Sequence, residues 1–205
     1  MKNVSERRIR QSGFTLVELL VVMSIIAILA GLIVYLLPGI SEKKVRGRVK
    51  TESALLVMAI NNYKSKMGFY PPDSPQPGTN ALFYELTGTT RDTNQWVFSD
   101  KYDGVLATNT IGVFFGTAGF LNSFDLQGPD PERQQNFLPN LKRGAFNNIP
   151  MTDVRVLVAP YKGPGGDFNP WRYTSSNPQH NPEGFDLWAE VVVGNKTIVI
   201  GNWKE

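Results

Sequence analysis

The stretch RQSGFTLVELLVVMSIIAILAGLIVYLLPG, residues 10–39, decides the fold. From Leu19 to Leu37 no residue carries a formal charge, and only Ser24 and Gly31 interrupt the apolar side chains. At about 1.5 Å rise per residue the run approaches the length needed to cross a ~30 Å hydrocarbon core, so it reads as a transmembrane helix. A secretory signal peptide has a shorter apolar core, about 7–15 residues, followed by a small-residue cleavage site. Here Tyr35-Leu36-Leu37-Pro38 closes the run, and the small residues Ser12 and Gly13 precede it.

Lys2, Arg7, Arg8 and Arg10 lie before the run, but Lys43, Lys44, Arg46, Arg48 and Lys50 follow it. Positive charge therefore leaves the orientation open. Glu18 sits at the entrance, where a carboxylate near bilayer depth is costly and generally faces a partner. Two readings explain it. Thr15 and Glu18 form the spacing of a capping box, in which each side chain satisfies a free amide at a helix start. Alternatively, a cut between Gly13 and Phe14 creates an α-amino group four residues from Glu18. The carboxylate of one subunit then pairs with the amine of the next.

The run Gly13-Phe14-Thr15-Leu16-Val17-Glu18, after a basic leader and before a long apolar helix, resembles the class III signal of the type IV pilin-like superfamily, on the side of the major pseudopilin of type II secretion. The resemblance implies a prepilin peptidase cutting after Gly13 and methylation of the Phe14 amine. It also implies an amino terminus facing the cytoplasm, and an assembly role for Phe14 and Glu18.

Beyond Pro38-Gly39, which favours a break or kink, Val45, Val49, Leu56, Ile60, Tyr63 and Met67 recur at helical spacing, predicting an amphipathic helix. Residues 14–67 thus form either one long bent helix or two helices joined at Pro38-Gly39. Gly68 and Pro71-Pro72 stop the second half. The bases from Lys43 to Lys50 read as a solvated face, with no aromatic interleaving for base stacking.

A short helix follows in NALFYELTG, with Asn80 as its N-cap and Gly88 as its stop. Residues 89–168 are rich in turn signals. Asp130-Pro131-Glu132 reads as a helix start, DVRVLVAP as a strand, and IGVFF and FLNSF as core or edge segments. Near the end, Phe185–Val193 and Lys196–Trp203 flank Gly194-Asn195 as a tight hairpin. The pattern from Tyr63 to Pro71, the segment NPWRY, and the ending IGNW also resemble the major pseudopilin.

The fold class is α+β: a long N-terminal helix packed on a small C-terminal antiparallel sheet. Its parts are a removed leader at 1–13, a transmembrane and assembly helix at 14–38, an amphipathic half at 39–68 and a periplasmic domain at 69–205. That domain includes an insertion around 89–168 and the hairpin at 185–203.

Many major pseudopilins bind calcium between the last two strands. Here Val193-Gly-Asn-Lys-Thr-Ile-Val199 has no carboxylate, and calcium prefers several oxygen ligands including carboxylates. Calcium is therefore disfavoured and no cofactor is expected, with Asp186 and Glu190 left as weak metal candidates.

Composition excludes other roles. There is no cysteine, hence no disulfide framework and no thiolate site. Removing residues 1–13 takes four bases and one acid from the 21 and 18 of the chain, leaving it neutral, so nucleic acid is not an expected partner. The one histidine, His180, lies in a loop-like stretch without a nucleophile signature. Asp125, Asp130, Glu132 and Asp167 lie among turns, where capping is the common use. GPGGDF lacks the lysine and hydroxyl ending of a phosphate loop. Trp96, Trp171, Trp188 and Trp203 are assigned to the core.

The chain is thus expected to be a filament subunit and not an enzyme. It would be single-pass in the bacterial inner membrane, with the C-terminal part in the periplasm. The resemblance implies a homopolymer that also meets other pseudopilins or minor pilins. It further implies the prepilin peptidase, an inner-membrane platform protein, membrane lipid and, indirectly, a secretion ATPase. A type IV pilin for adhesion, motility or DNA uptake and a membrane-anchored binding module are the alternatives.

Overall fold

The computed structural model describes residues 14–128 and 134–203, with backbone alone for residues 33–40. Asp130-Pro131-Glu132 lies outside them, as does the leader through Gly13. The chain divides into two compact units, residues 1–41 and 42–205. Helical assignment of α1, Leu16–Met67, runs through Pro38-Gly39 without interruption, as one of the two expectations had it.

In the second unit α1 buries Val45, Val49, Ser53, Leu56, Ile60 and Tyr63. These spacings of three and four residues line one helical face. The helix gives way at Gly68, whose N–H still bonds to the Lys64 carbonyl at 2.8 Å and whose φ is 87°. Asp73, in the loop that follows, accepts hydrogen bonds from the backbone and hydroxyls of Ser175 and Ser176. Thr174 adds a further hydroxyl bond at 3.0 Å. This staple ties the end of the helix to a stretch more than a hundred positions away.

Helix α2, Leu82–Thr87, is buried at every residue. Asn80 is not its N-cap. Ala81 holds that position, while the Asn80 side chain accepts from the Leu82 N–H at 3.3 Å and donates to the carbonyls of Pro77 and Trp171. Gly88 ends the helix with φ 79°. A Cβ there would come within 2.7 Å of the Gln134 side chain.

The stretch expected as an insertion holds several regular elements. Strands β1 (Thr89–Asp92), β2 (Val97–Asp100), β3 (Val105–Ala107) and β4 (Ser123–Asp125) form a sheet in the order β3-β2-β1-β4. The β1 and β4 pair is parallel, while the other pairs of this sheet are antiparallel. IGVFF lies in a helix, α3 (Thr108–Phe115), which sends Ile111 and Phe115 into the core. Strands β5 (Phe146–Asn148) and β6 (Arg155–Leu157) form a second, two-stranded sheet.

Aromatic packing joins these pieces to α2. Tyr84 stacks on Phe120 at 4.4 Å between ring centres, and Phe83 meets Phe146 at 4.8 Å. Such pairs contribute about 0.5–1.5 kcal/mol beyond the area they bury. Arg155 crosses to Asp100 at 2.6 Å and bonds the Tyr102 carbonyl, tying β6 to the end of β2.

The last sheet has the order β7-β8-β9, with β7 (Arg172–Thr174), β8 (Asp186–Val193) and β9 (Lys196–Gly201). Along β8, Leu187, Ala189 and Val191 are buried while Trp188 and Glu190 are partly exposed, the period of two expected of a strand with one covered face. The β8 and β9 register is unbroken down to Val193 opposite Lys196. Gly194 turns the chain with φ 60°, as the Gly-Asn hairpin requires. Of the four tryptophans only Trp171 belongs to the core; Trp188 and Trp203 are partly exposed and Trp96 is largely so. Trp96 sits in a turn and Trp203 past the last strand, where few neighbours surround an indole, while Trp188 points to the partly exposed face of β8.

Candidate functional site

The start of α1 realises the capping box. The Thr15 N–H donates to Glu18 Oε2 at 2.9 Å, the Thr15 hydroxyl donates to the same oxygen at 2.8 Å, and the Glu18 N–H donates to Thr15 Oγ1 at 3.2 Å. These bonds occupy amides that an α-helix leaves unpaired at its first turn. Phe14, immediately before the box, is 82% exposed. The arrangement therefore places a carboxylate within one turn of Phe14, the residue whose nitrogen a cut after Gly13 would free.

From Leu16 to Leu32 every large side chain except Glu18 is apolar and uncovered. Leu16, Val17, Leu19, Leu20, Val21, Val22, Met23, Ile25, Ile26, Ile28, Leu29 and Leu32 are all exposed. A helix apolar on every face belongs in a protein interior or in lipid. The Ser24 hydroxyl is internally satisfied, donating to the Leu20 carbonyl at 2.8 Å. Among the described residues no helix is long and apolar enough to cross a membrane. Residues 33–40, which complete the uncharged run to Leu37, are described by backbone alone.

The weak metal candidates go to different partners. Asp186 is buried, 2% exposed. Its carboxylate accepts the backbone N–H groups of Gln179, His180 and Asn181 at 2.7, 2.9 and 3.0 Å, with His180 Nδ1 at 3.1 Å and Asn181 Nδ2 at 3.0 Å. Burial pushes this carboxyl up, but the His180 and neighbouring N–H groups outweigh burial and hold it below the ordinary aspartate range. Glu190 pairs with Arg172 at 3.4 Å. Among the described residues, no three acidic or histidine side chains gather as a metal site. The calcium loop that the resemblance implies does not fit, because a two-residue turn without carboxylates joins β8 to β9.

What closes the C-terminus instead is a set of amides. Asn202 donates from its side chain to the Phe185 carbonyl at 2.9 Å and from its backbone to the Leu187 carbonyl at 3.0 Å, while its Oδ1 accepts the Leu187 N–H at 3.0 Å. His180 stacks on Trp203 with ring centres 3.7 Å apart. His180 is thus a loop residue, as expected, but one fixed in position.

Sequence reasoning missed Glu85. It is 1% exposed on α2 and accepts the Leu121 N–H at 2.9 Å, the Asn122 N–H at 3.0 Å and the Tyr63 hydroxyl at 2.9 Å. Burial raises its pKa above the ordinary glutamate value, only partly offset by those three donors. The available signal was its place in a short helix whose other residues are mostly apolar.

The profile of the prokaryotic N-terminal methylation motif matches residues 8–34, which take in this capped, apolar helix start. Over a longer stretch the chain is similar to the type II secretion system core protein G of several bacteria. The match is 40% identical over 78 residues with the Pectobacterium carotovorum subsp. carotovorum protein, covering 38% of this chain and 49% of the relative. With the Klebsiella pneumoniae protein it is 40% over 73 residues, 36% of this chain and 51% of the relative. With the Aeromonas hydrophila protein it is 40% over 78 residues, 38% and 53%. The chain spans about half the length of the curated relatives it matches. No solved structure matches it significantly.

Proposed function

We propose that this chain is a structural pseudopilin subunit, cut after Gly13, methylated on Phe14, and polymerised into a periplasmic filament that drives type II protein secretion. The observation that carries the reading is the methylation motif at residues 8–34 on a helix whose first turn is capped by Thr15 and Glu18 and whose next turns are apolar all round.

The residue roles follow from charge and solvent. After cleavage, the Phe14 amine and the Glu18 carboxylate of a neighbouring subunit each supply the counter-charge that the other lacks near lipid. Apolar helices from Leu16 onward then pack together. The subunit is held in the inner membrane by one span before assembly, with residues 42–205 on the periplasmic side. Its partners are its own copies, other pseudopilins, the prepilin peptidase and a platform protein. A secretion ATPase supplies the energy for extrusion. The role is structural and not enzymatic, and the subunit uses no cofactor.

The deciding measurement is the intact mass and N-terminal sequence of the protein recovered from membranes of cells with an active prepilin peptidase. The expected product begins at Phe14 and carries one added methyl. A chain still beginning at Met1, beside a control substrate that is cut, overturns the reading and leaves Glu18 as a helix cap on a signal anchor.

A further inference from the structure

The inserted sheet presents an unusual tip. Trp96 closes the β1 and β2 hairpin with φ 57°, a left-handed backbone that bulky residues seldom adopt and that glycine or asparagine takes at little cost. The conformation is held in place, because the Trp96 carbonyl accepts the Thr108 N–H at 2.9 Å and the Thr108 hydroxyl at 2.8 Å. The indole is 66% exposed. Leu126 is exposed on the neighbouring strand end, where its N–H bonds to the Arg91 carbonyl. Asp92 and Asp125 lie at the same end, with Gln127 bonded to Asp92 at 3.2 Å. A strained turn that displays an indole among carboxylates is a contact element, since tryptophan is enriched among the side chains that anchor interfaces.

Elsewhere on residues 42–205 lies a receptor of matching character. A groove of about 380 Å³ runs between α1 and the segment 137–142, walled by Leu55, Met58, Leu138, Pro139 and Leu141. Leu55 and Met58 are 57% and 62% exposed, on the side of α1 away from its buried stripe. The volume is in the range of sites that enclose a small aromatic ligand. Lys142 lines the groove, and it and the next residue, Arg143, are both exposed. The acidic residue at the groove, Glu52, is paired with Arg48 at 3.5 Å.

We infer that Trp96 of one copy docks in this groove of a second copy, with Asp92 and Asp125 facing Lys142 and Arg143. The inference rests on the filament reading. Knob and groove are different surfaces of the same chain, so the contact is heterologous and adds copies in an open series unless a rotation happens to close it. The complementary charges fix which way the indole enters and speed encounter. The inserted region thereby acquires a use, as a lateral contact between subunits made outside the membrane.

The test places a photo-reactive benzoylphenylalanine at position 96, and separately at Ile25, in the full chain expressed with the secretion machinery. Adducts are mapped by mass spectrometry. The expected result is a dimer adduct from position 96 onto residues 55–58 or 137–142 of another copy, together with a copy-to-copy adduct from position 25. Lys142→Glu, an exposed change that spares the fold, should lower the position 96 adduct several-fold, and Asp92→Lys in the same chain should restore it. An adduct from position 25 without one from position 96 overturns the docking and keeps the filament. Capture of an exported protein at position 96 also overturns it. Absence of both adducts overturns the filament reading and the docking with it.

Discussion

Two glutamates divide this molecule. Glu18 is exposed, and its bonding partner is three positions away on the same turn. Glu85 is buried, and its donors are Tyr63, Leu121 and Asn122, which lie 22, 36 and 37 positions away. The first carboxylate is satisfied by local geometry, and the large apolar side chains from Leu16 to Leu32 around and beyond it are exposed. The second is satisfied only when three elements meet. In residues 14–32 the chain keeps its apolar surface outward and its polar bonds local; in residues 42–205 it does the reverse.

Breaking the second glutamate should have the largest effect. Glu85→Ala leaves two buried N–H groups and the Tyr63 hydroxyl without their acceptor, and is expected to destabilise residues 42–205 by about 3 kcal/mol or more. The urea midpoint of the full chain in detergent checks this. An unchanged midpoint would make Glu85 a bystander.

Asp186→Asn should cost less, about 2 kcal/mol, because the amide oxygen still accepts the Gln179 and His180 N–H groups while the Asn181 N–H loses its acceptor. The two acids also pull stability in opposite directions with pH. Asp186 titrates lower in the folded chain than in the unfolded one. Its contribution is therefore present above the ordinary aspartate value and lost as pH falls through its folded value. Glu85 titrates higher when folded, so its contribution is complete below the ordinary glutamate value and fades as pH rises through its folded value. Midpoints measured from about pH 3 to pH 7 should show the acid-side loss shrink in Asp186→Asn.

Glu18→Ala should move the midpoint of residues 42–205 less than either, while copy-to-copy cross-linking through the apolar helix falls at least roughly tenfold, a loss of about 1.4 kcal/mol in association. If cross-linking persists, the carboxylate is a cap and nothing more. The smallest effect is expected from calcium: adding the ion or a chelator should leave the midpoint in place, since the turn after Val193 offers no carboxylate. A calcium-dependent rise would show that oxygen ligands gather from elsewhere.

The same contrast governs what the sequence made legible. Periodicity identified Val45, Val49, Leu56, Ile60 and Tyr63 as the buried face of α1, and the spacing around Gly194-Asn195 identified the hairpin. The capping box was readable because its members are three residues apart. Glu85, Asp186 and Asp73 were not, because a carboxylate's burial depends on donors that other elements deliver. IGVFF was ambiguous for a related reason, since a short apolar run suits a helix or a strand alike. Trp96 was misassigned because aromatic character predicts burial on average and says nothing of a turn that holds one ring outside.

The Asp73 staple has a consequence for the order of folding. Its partners Ser175 and Ser176, like the Tyr173 hydroxyl that bonds to the Pro71 carbonyl at 2.9 Å, come from far down the chain. Contacts of such high sequence separation form late, because the intervening loop must first be closed. As the chain is synthesised from its N-terminus, the long helix and the sheet of β1 to β4 appear before the segment that fastens them. The bonds that fasten the end of the long helix can therefore form only after residue 176 has emerged.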